Sequence, residues 1–286
     1  MLEFANRHSL ADSKTLKCYK QSELRGAYFL TFYPDASKEN RQLGAEIYLW
    51  FLAFDEIYAE RIGSGAVDDL TQRIFELLDV LGGYTAEPTP GFGAALADIL
   101  RRAETWTMSQ QNDLRNALYG IMVGWQWEVQ FRNAHSQPSV QTYMGARRHL
   151  VAALLERAIL EPLNGYVLPD TARRDPQVIR LNRALANIQM WVNDLCSYEK
   201  ERRQDGNFSV TLPNALMHEE KCSLSDAFTR ISELTNLEAE VAAELIEYLG
   251  ESPLPEVRAY TRATERLLRG TTTFYATSGF GRYTDG

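Results

Sequence analysis

Cysteine is scarce. Cys18, Cys196 and Cys222 are the only three in 286 residues, and they are widely spaced with no CxxC pair. That excludes a disulfide framework and a thiolate zinc site. Long apolar runs are also missing. The longest, Ile47 to Phe54, is 8 residues and ends on Asp55, whereas a membrane-spanning helix needs roughly 20. Met1 to Leu10 contains Glu3, Asn6, Arg7 and His8 and lacks the apolar core of a secretion signal. These absences predict a soluble, cytoplasmic protein with reduced thiols. Positive charge is in deficit, since 30 Lys and Arg against 38 Asp and Glu leave a formal charge of −8. A general nucleic-acid binder needs a basic footprint, so that class is excluded. Phosphates could still be bound locally, by a few placed arginines or by bridging cations. With 18 Gly and 10 Pro the chain is no collagen-like or low-complexity scaffold.

What remains is helical periodicity. Leu181, Leu185, Ile188, Trp191, Val192 and Leu195 follow the i, i+3, i+4, i+7 rule, as do Ile231, Leu234, Leu237, Val241, Leu245 and Leu249. No sustained alternation calls for a sheet, and no internal repeat is present. Glycine and proline breaks, including Gly82–Gly83, Pro162 and Pro213, predict helices over 40–62, 67–81, 92–108, 110–134, 139–161, 175–204, 223–249 and 254–278. No linker divides them. The expectation is an all-α, single-domain helical bundle covering residues 1–286, in which sites are built from side chains on facing helices.

Two segments put oxygen donors where a core would place leucine. The aromatic run from Tyr48 to Phe54 turns abruptly into Asp55, Glu56 and Glu60, with Glu56 and Glu60 on one stripe at 100° per residue. Such acids must pair, protonate or hold a hard cation. They could equally mark the solvated end of a core helix, with Arg61 as partner. Farther on, Asn193, Ser197 and Glu201 are spaced i, i+4, i+8 on an otherwise apolar helix. A carboxamide, a hydroxyl and a carboxylate on one stripe make an all-oxygen site suited to magnesium.

The run from Asn193 to Glu201, including Lys200, resembles the NDxxSxxxE magnesium triad of bacterial-type class I terpene synthases. Asp55 to Glu60 resembles their aspartate-rich motif, and Tyr33–Pro34–Asp35 is similar to its run-up. Arg147 lies 46 residues before Asn193, where the family places its diphosphate-sensing arginine, and Arg282–Tyr283 is similar to its terminal Arg-Tyr pair. The chain departs from the pattern at Glu56, where a second aspartate is usual, and at Val151, where a glycine often breaks the helix. It departs again at Phe274–Tyr275, the region of a frequent tryptophan, and at Gly279–Phe280–Gly281, similar to a small insertion.

The resemblance implies a class I terpenoid synthase fold and a magnesium-dependent lyase. Such an enzyme ionises a prenyl diphosphate, farnesyl or geranylgeranyl or a bicyclic one from a class II partner, and cyclises the carbocation. It implies a trinuclear magnesium cluster held by Asp55 and Glu60 on one wall and Asn193, Ser197 and Glu201 on the other. Arg147, Lys200, Arg282 and Tyr283 would grip the diphosphate. Phe51, Phe54, Trp191 and Phe274, with Trp125 and Tyr275, are the candidate pocket aromatics, although plain core packing accounts for each of them more simply. Arg148 is read as a neighbour of the sensor, His149 as structural, and Trp125, Trp127, Glu128 and Arg132 as a buried helix with an internal ion pair. The partner expected is the prenyl diphosphate, and the assembly allowed is a homodimer. Two rivals stand beside this reading: a prenyltransferase of the same fold, chain-elongating or head-to-head, and a noncatalytic helical binding protein.

Overall fold

The structure is a computed structural model that describes residues 2–10, 33, 36–61, 63–85, 87–205 and 209–276. Among the described residues every regular element is helical. These are α1 (Leu2–Arg7), α2 (Lys38–Phe54) running into a π-helical turn (Asp55–Ala59), α3 (Ala66–Gly82), α4 (Phe92–Ala103), α5 (Met108–Asn133), α6 (Val140–Leu150), α7 (Ala153–Asn164), α8 (Asp170–Arg173), α9 (Pro176–Asp205), α10 (Leu212–Glu220), α11 (Leu224–Gly250) and α12 (Pro255–Ala276). None of these helices is long and apolar enough to cross a membrane.

Helix starts follow side-chain chemistry. Ser37, Ser139 and Thr211 accept N-cap hydrogen bonds from the backbone, and Thr107–Gln110 and Ser223–Asp226 form capping boxes that satisfy two orphan donors each. Gly83 ends α3 at φ 73°, a left-handed conformation that a residue without Cβ adopts freely.

Four expectations need correction. The helix expected over 92–108 stops at Ala103, because the next turn leads into the Thr107 cap. Pro213 does not end a helix but starts α10 near its first position, where its missing N–H costs nothing. Pro162 sits inside the last turns of α7 instead of breaking it. The helix expected over 139–161 is broken: Val151 N–H closes α6 on Arg147 O at 3.1 Å, Ala152 adopts φ 63°, and α7 restarts from the Ala152 carbonyl. A non-glycine residue held there costs on the order of 1 kcal/mol.

Among the described residues two apolar clusters form the core. The larger, from Phe4 to Leu267, includes the fully buried Trp50, Phe54, Trp125 and Leu96. The smaller joins α6, α9, α10 and α11 around Tyr143, Met190, Trp191, Leu212 and Ile231. Leu237, expected on the buried stripe of α11, is exposed. The C-terminal end of α2 and the second half of α9 emerge from this packing next to each other, which positions the site.

Candidate active site

At the end of α2 the backbone widens. Glu60 N–H bonds five residues back to Asp55 O at 2.9 Å, the mark of a π turn. In such a turn the residue five places on comes nearly over the first, so Glu60 swings toward the face of Asp55 and the three carboxylates gather on one side. Asp55 Oδ1 accepts from Trp125 Nε1 at 2.8 Å. The indole is fixed by stacking on Phe51 and Phe54, with ring centroids 5.7 and 4.6 Å away. A fully buried aromatic stack thus ends in an N–H aimed at the first acid of the motif.

The opposite wall is the stripe on α9. Ser197 Oγ donates to Glu201 Oε1 at 2.6 Å. Asn193 Oδ1 accepts from Arg147 Nη2 at 2.6 Å, and Asn193 Nδ2 donates to Tyr275 Oη at 2.7 Å. Next to it Asp194 is completely buried and accepts from Arg147 Nε at 2.9 Å, from the Tyr143 hydroxyl and from Leu212 N–H at 3.2 Å. Burial holds the Tyr143 hydroxyl protonated well above its ordinary range, so it serves Asp194 as a donor. Burial also pushes the Glu201 carboxyl up to about 7, against the pull of Arg147 and with the help of Asp194.

The two walls touch. Lys200 Nζ, from α9, lies 3.3 Å from Glu60 Oε1. The aspartate-rich turn and the Asn193–Glu201 stripe, well over a hundred residues apart in sequence, therefore face each other across one ion pair.

Every candidate ligand on these walls offers oxygen: carboxylates from Asp55, Glu60 and Glu201, an amide from Asn193, a hydroxyl from Ser197. That set fits a hard cation such as magnesium and not a soft metal. Among the described residues no three His, Cys, Asp or Glu side chains gather into a metal centre by themselves. The stripe on α9 carries only one carboxylate, and its other two donors are an amide and a hydroxyl.

Of the neighbouring candidates, Arg148 turns away from the site. Its Nε donates to Asn187 Oδ1 at 3.1 Å, and Asn187 in turn bonds Glu238 on α11. His149 packs edge-on against α5, where a Cβ on Gly120 would come within 2.5 Å of its ring. Glu128 and Arg132 form a buried pair at 3.1 Å within α5. Trp191 lies two residues before Asn193, roughly 200° round the helix. It belongs to the smaller core, with its indole N–H on Met144 Sδ. Phe51 and Phe54 are brought together beneath Asp55, and Trp191 is not with them. Pro34, Asp35, Gly279 to Gly281, Arg282 and Tyr283 lie outside the described residues, as does the side chain of Phe274.

Residue-by-residue reading placed Asp194 beside the triad without a role, left Tyr143 out, and gave Trp125 and Tyr275 as π faces instead of hydrogen-bonding partners. Two of these carried a local signal: Asp194 follows Asn193 within the motif, and Tyr143 stands four residues before Arg147 and hence on the same face of α6.

Residues 46–241 match the family described as terpene synthase family 2, C-terminal metal binding. A (12E)-labda-8(17),12,14-triene synthase of Streptomyces anulatus is 34% identical over 78% of this chain and 71% of its own length. A 4-epi-cubebol synthase of Streptosporangium roseum, named as cyclising (2E,6E)-farnesyl diphosphate, is 28% identical over 96% of this chain and 83% of its own. The solved structure of 2-methylisoborneol synthase from Streptomyces coelicolor A3(2), with Mg2+ and 2-fluoroneryl diphosphate, superposes with a TM-score of 0.84 at 22% identity. That match covers 99% of this chain and 90% of the other.

Proposed function

The chain belongs to the class I terpene synthases, and on that premise we propose that it removes diphosphate from a prenyl diphosphate and releases a terpene. One domain, residues 1–286, carries the reaction. The observation that supports this reading most is the Lys200–Glu60 contact, an ion pair between the two oxygen-rich motifs. Asp55 and Glu60 on one side and Asn193, Ser197 and Glu201 on the other would hold magnesium, as three ions. Magnesium bound there supplies positive charge to the departing diphosphate.

The chain's own residues do the rest. Arg147 is held by Asp194 through Nε, so its Nη groups are presented at a fixed angle to donate to a diphosphate oxygen, the fork geometry that arginine offers and lysine does not. Lys200 adds a point charge between the walls, and Arg282 and Tyr283 belong to the same proposed grip. Phe51, Phe54 and Trp125 form a dry aromatic floor beneath Asp55. They exclude water from behind the acid, and Phe51, the least buried of the three, is proposed with Phe274 to offer a π face to the carbocation. Trp191 is left to core packing.

The labdatriene synthase likeness favours a bicyclic C20 diphosphate as substrate, with farnesyl and geranylgeranyl diphosphate as the next to try. The test is incubation of pure protein and magnesium with linear C10, C15 and C20 diphosphates and a bicyclic labdane diphosphate. Free diphosphate is assayed and products are separated by gas chromatography. The expected result is a hydrocarbon or alcohol from a C15 or C20 substrate, lost in excess chelator. Absence of diphosphate release from all four substrates overturns the reading. With isopentenyl diphosphate added as co-substrate, a longer prenyl diphosphate would instead mark a chain-elongating enzyme.

A further inference from the structure

The carboxamide of Asn193 is useful to a cation through its oxygen only, and an amide can sit either way round. Its orientation is settled by its neighbours. Arg147 Nη2, 2.6 Å away, is a donor with no acceptor capacity, so the atom facing it is Oδ1. The amide nitrogen then faces Tyr275, whose hydroxyl oxygen accepts from Nδ2 at 2.7 Å. The same pattern recurs one turn earlier. There Gln189 Nε2, four residues before Asn193, reaches the Thr271 hydroxyl, four residues before Tyr275, at 3.4 Å. Two amide-to-hydroxyl rungs therefore fix the register of α12 against α9, and the upper rung ends on a candidate metal ligand.

We propose that Tyr275 is a positioning residue that holds the Asn193 carboxamide with its oxygen turned into the metal site. Arg147 alone cannot do this throughout the reaction, because in the proposed function its guanidinium also serves the diphosphate. Tyr275 takes no part in the proposed diphosphate grip, and it lies on the last turn of α12. A partner that orients a ligand in this way commonly controls metal affinity 10–100-fold. The inference rests on the proposed function, since it takes Asn193 as a ligand.

The test needs no turnover. The magnesium concentration that half-maximally raises the melting temperature is measured in the presence of inorganic diphosphate, for four proteins: wild type, Tyr275→Phe, Asn193→Asp and the double variant. A carboxylate has oxygen on both sides and cannot be the wrong way round. Tyr275→Phe is expected to raise the magnesium midpoint about tenfold in the Asn193 background and to have little further effect in the Asn193→Asp background. An unchanged midpoint in Tyr275→Phe overturns the inference. So does an equal loss in both backgrounds, whether of fold or of metal midpoint, which assigns the residue to packing. Wild-type protein that shows no magnesium-dependent stabilisation with diphosphate overturns the proposed function itself, and the inference with it.

Discussion

At the Asp55 wall three carboxylates crowd a widened turn at the end of an aromatic helix, half-buried and held from the side by an indole and a lysine. On α9 a single carboxylate shares its stripe with an amide and a hydroxyl, and behind them a fully buried Asp194 ties Arg147, Tyr143 and the start of α10 into one network. The first wall supplies charge on a backbone already distorted from α-helical geometry. The second supplies fewer charges but fixes each donor by a named partner. Charge can be rearranged by one residue with modest loss, whereas a donor fixed in a buried network cannot be moved without undoing its neighbours.

Substitutions on the two walls should therefore differ in size. Asn193→Ala and Glu201→Ala remove donors from the pre-set wall, and turnover should fall by about 10³-fold or more while the helical circular dichroism remains. Full activity in either variant breaks the assignment. Next in size, Arg147→Ala should cost on the order of 2–5 kcal/mol in kcat/KM, as for the truncated partner of a buried charge pair. Arg148→Ala, on the Asn187 side, should stay within about 0.5 kcal/mol. A reversal of these two would move the sensor by one residue.

Smaller effects belong to the first wall. Asp55→Asn should lose on the order of 100-fold in rate at saturating magnesium, and Glu56→Gln and Glu56→Asp less than about tenfold. Glutamate stands at 56 where the family has aspartate, and a side chain one methylene longer seldom replaces a direct ligand at a fixed metal distance. If Glu56→Gln is the more damaging, the division of labour between these neighbours is wrong.

A further effect concerns protons and is read in stability, not in rate. The Glu201 carboxyl is raised from 4.5 to about 7 in the folded chain. The folded state therefore binds the proton more tightly than the unfolded state, and this stabilisation is complete below about pH 4.5 and lost as pH rises through about 7. Metal-free wild type should thus lose roughly 1–3 kcal/mol relative to Glu201→Gln between about pH 5 and 8. Denaturant melts of both proteins across that range check it, and parallel pH profiles contradict it.

The stripe on α9 was legible because it is local. Asn193, Ser197 and Glu201 sit in one helix, and periodicity alone puts them on one face. Most of the long helices were legible for the same reason. The break at Val151–Ala152 was not, because no glycine or proline marks it and the left-handed Ala152 is held by the packing of α6 and α7 around it. The π turn was hidden too, since a run of acids after an apolar helix reads as an ordinary helix end. The partners that fix the site were out of reach. Trp125 is 70 residues from Asp55, Tyr143 is 51 from Asp194, and Tyr275 is 82 from Asn193. No local pattern joins such pairs. What was read across that distance came from the resemblance, in the case of Arg147.

That the Asp55 turn and the α9 stripe are two walls of one metal site can be tested most directly with manganese as a magnesium substitute. Crystals grown with Mn2+ and inorganic diphosphate should show anomalous peaks at about 2.0–2.3 Å from Asp55 on one side and from Asn193, Ser197 and Glu201 on the other, with Arg147 on a diphosphate oxygen. Peaks confined to one wall, or lying away from both, would contradict the account.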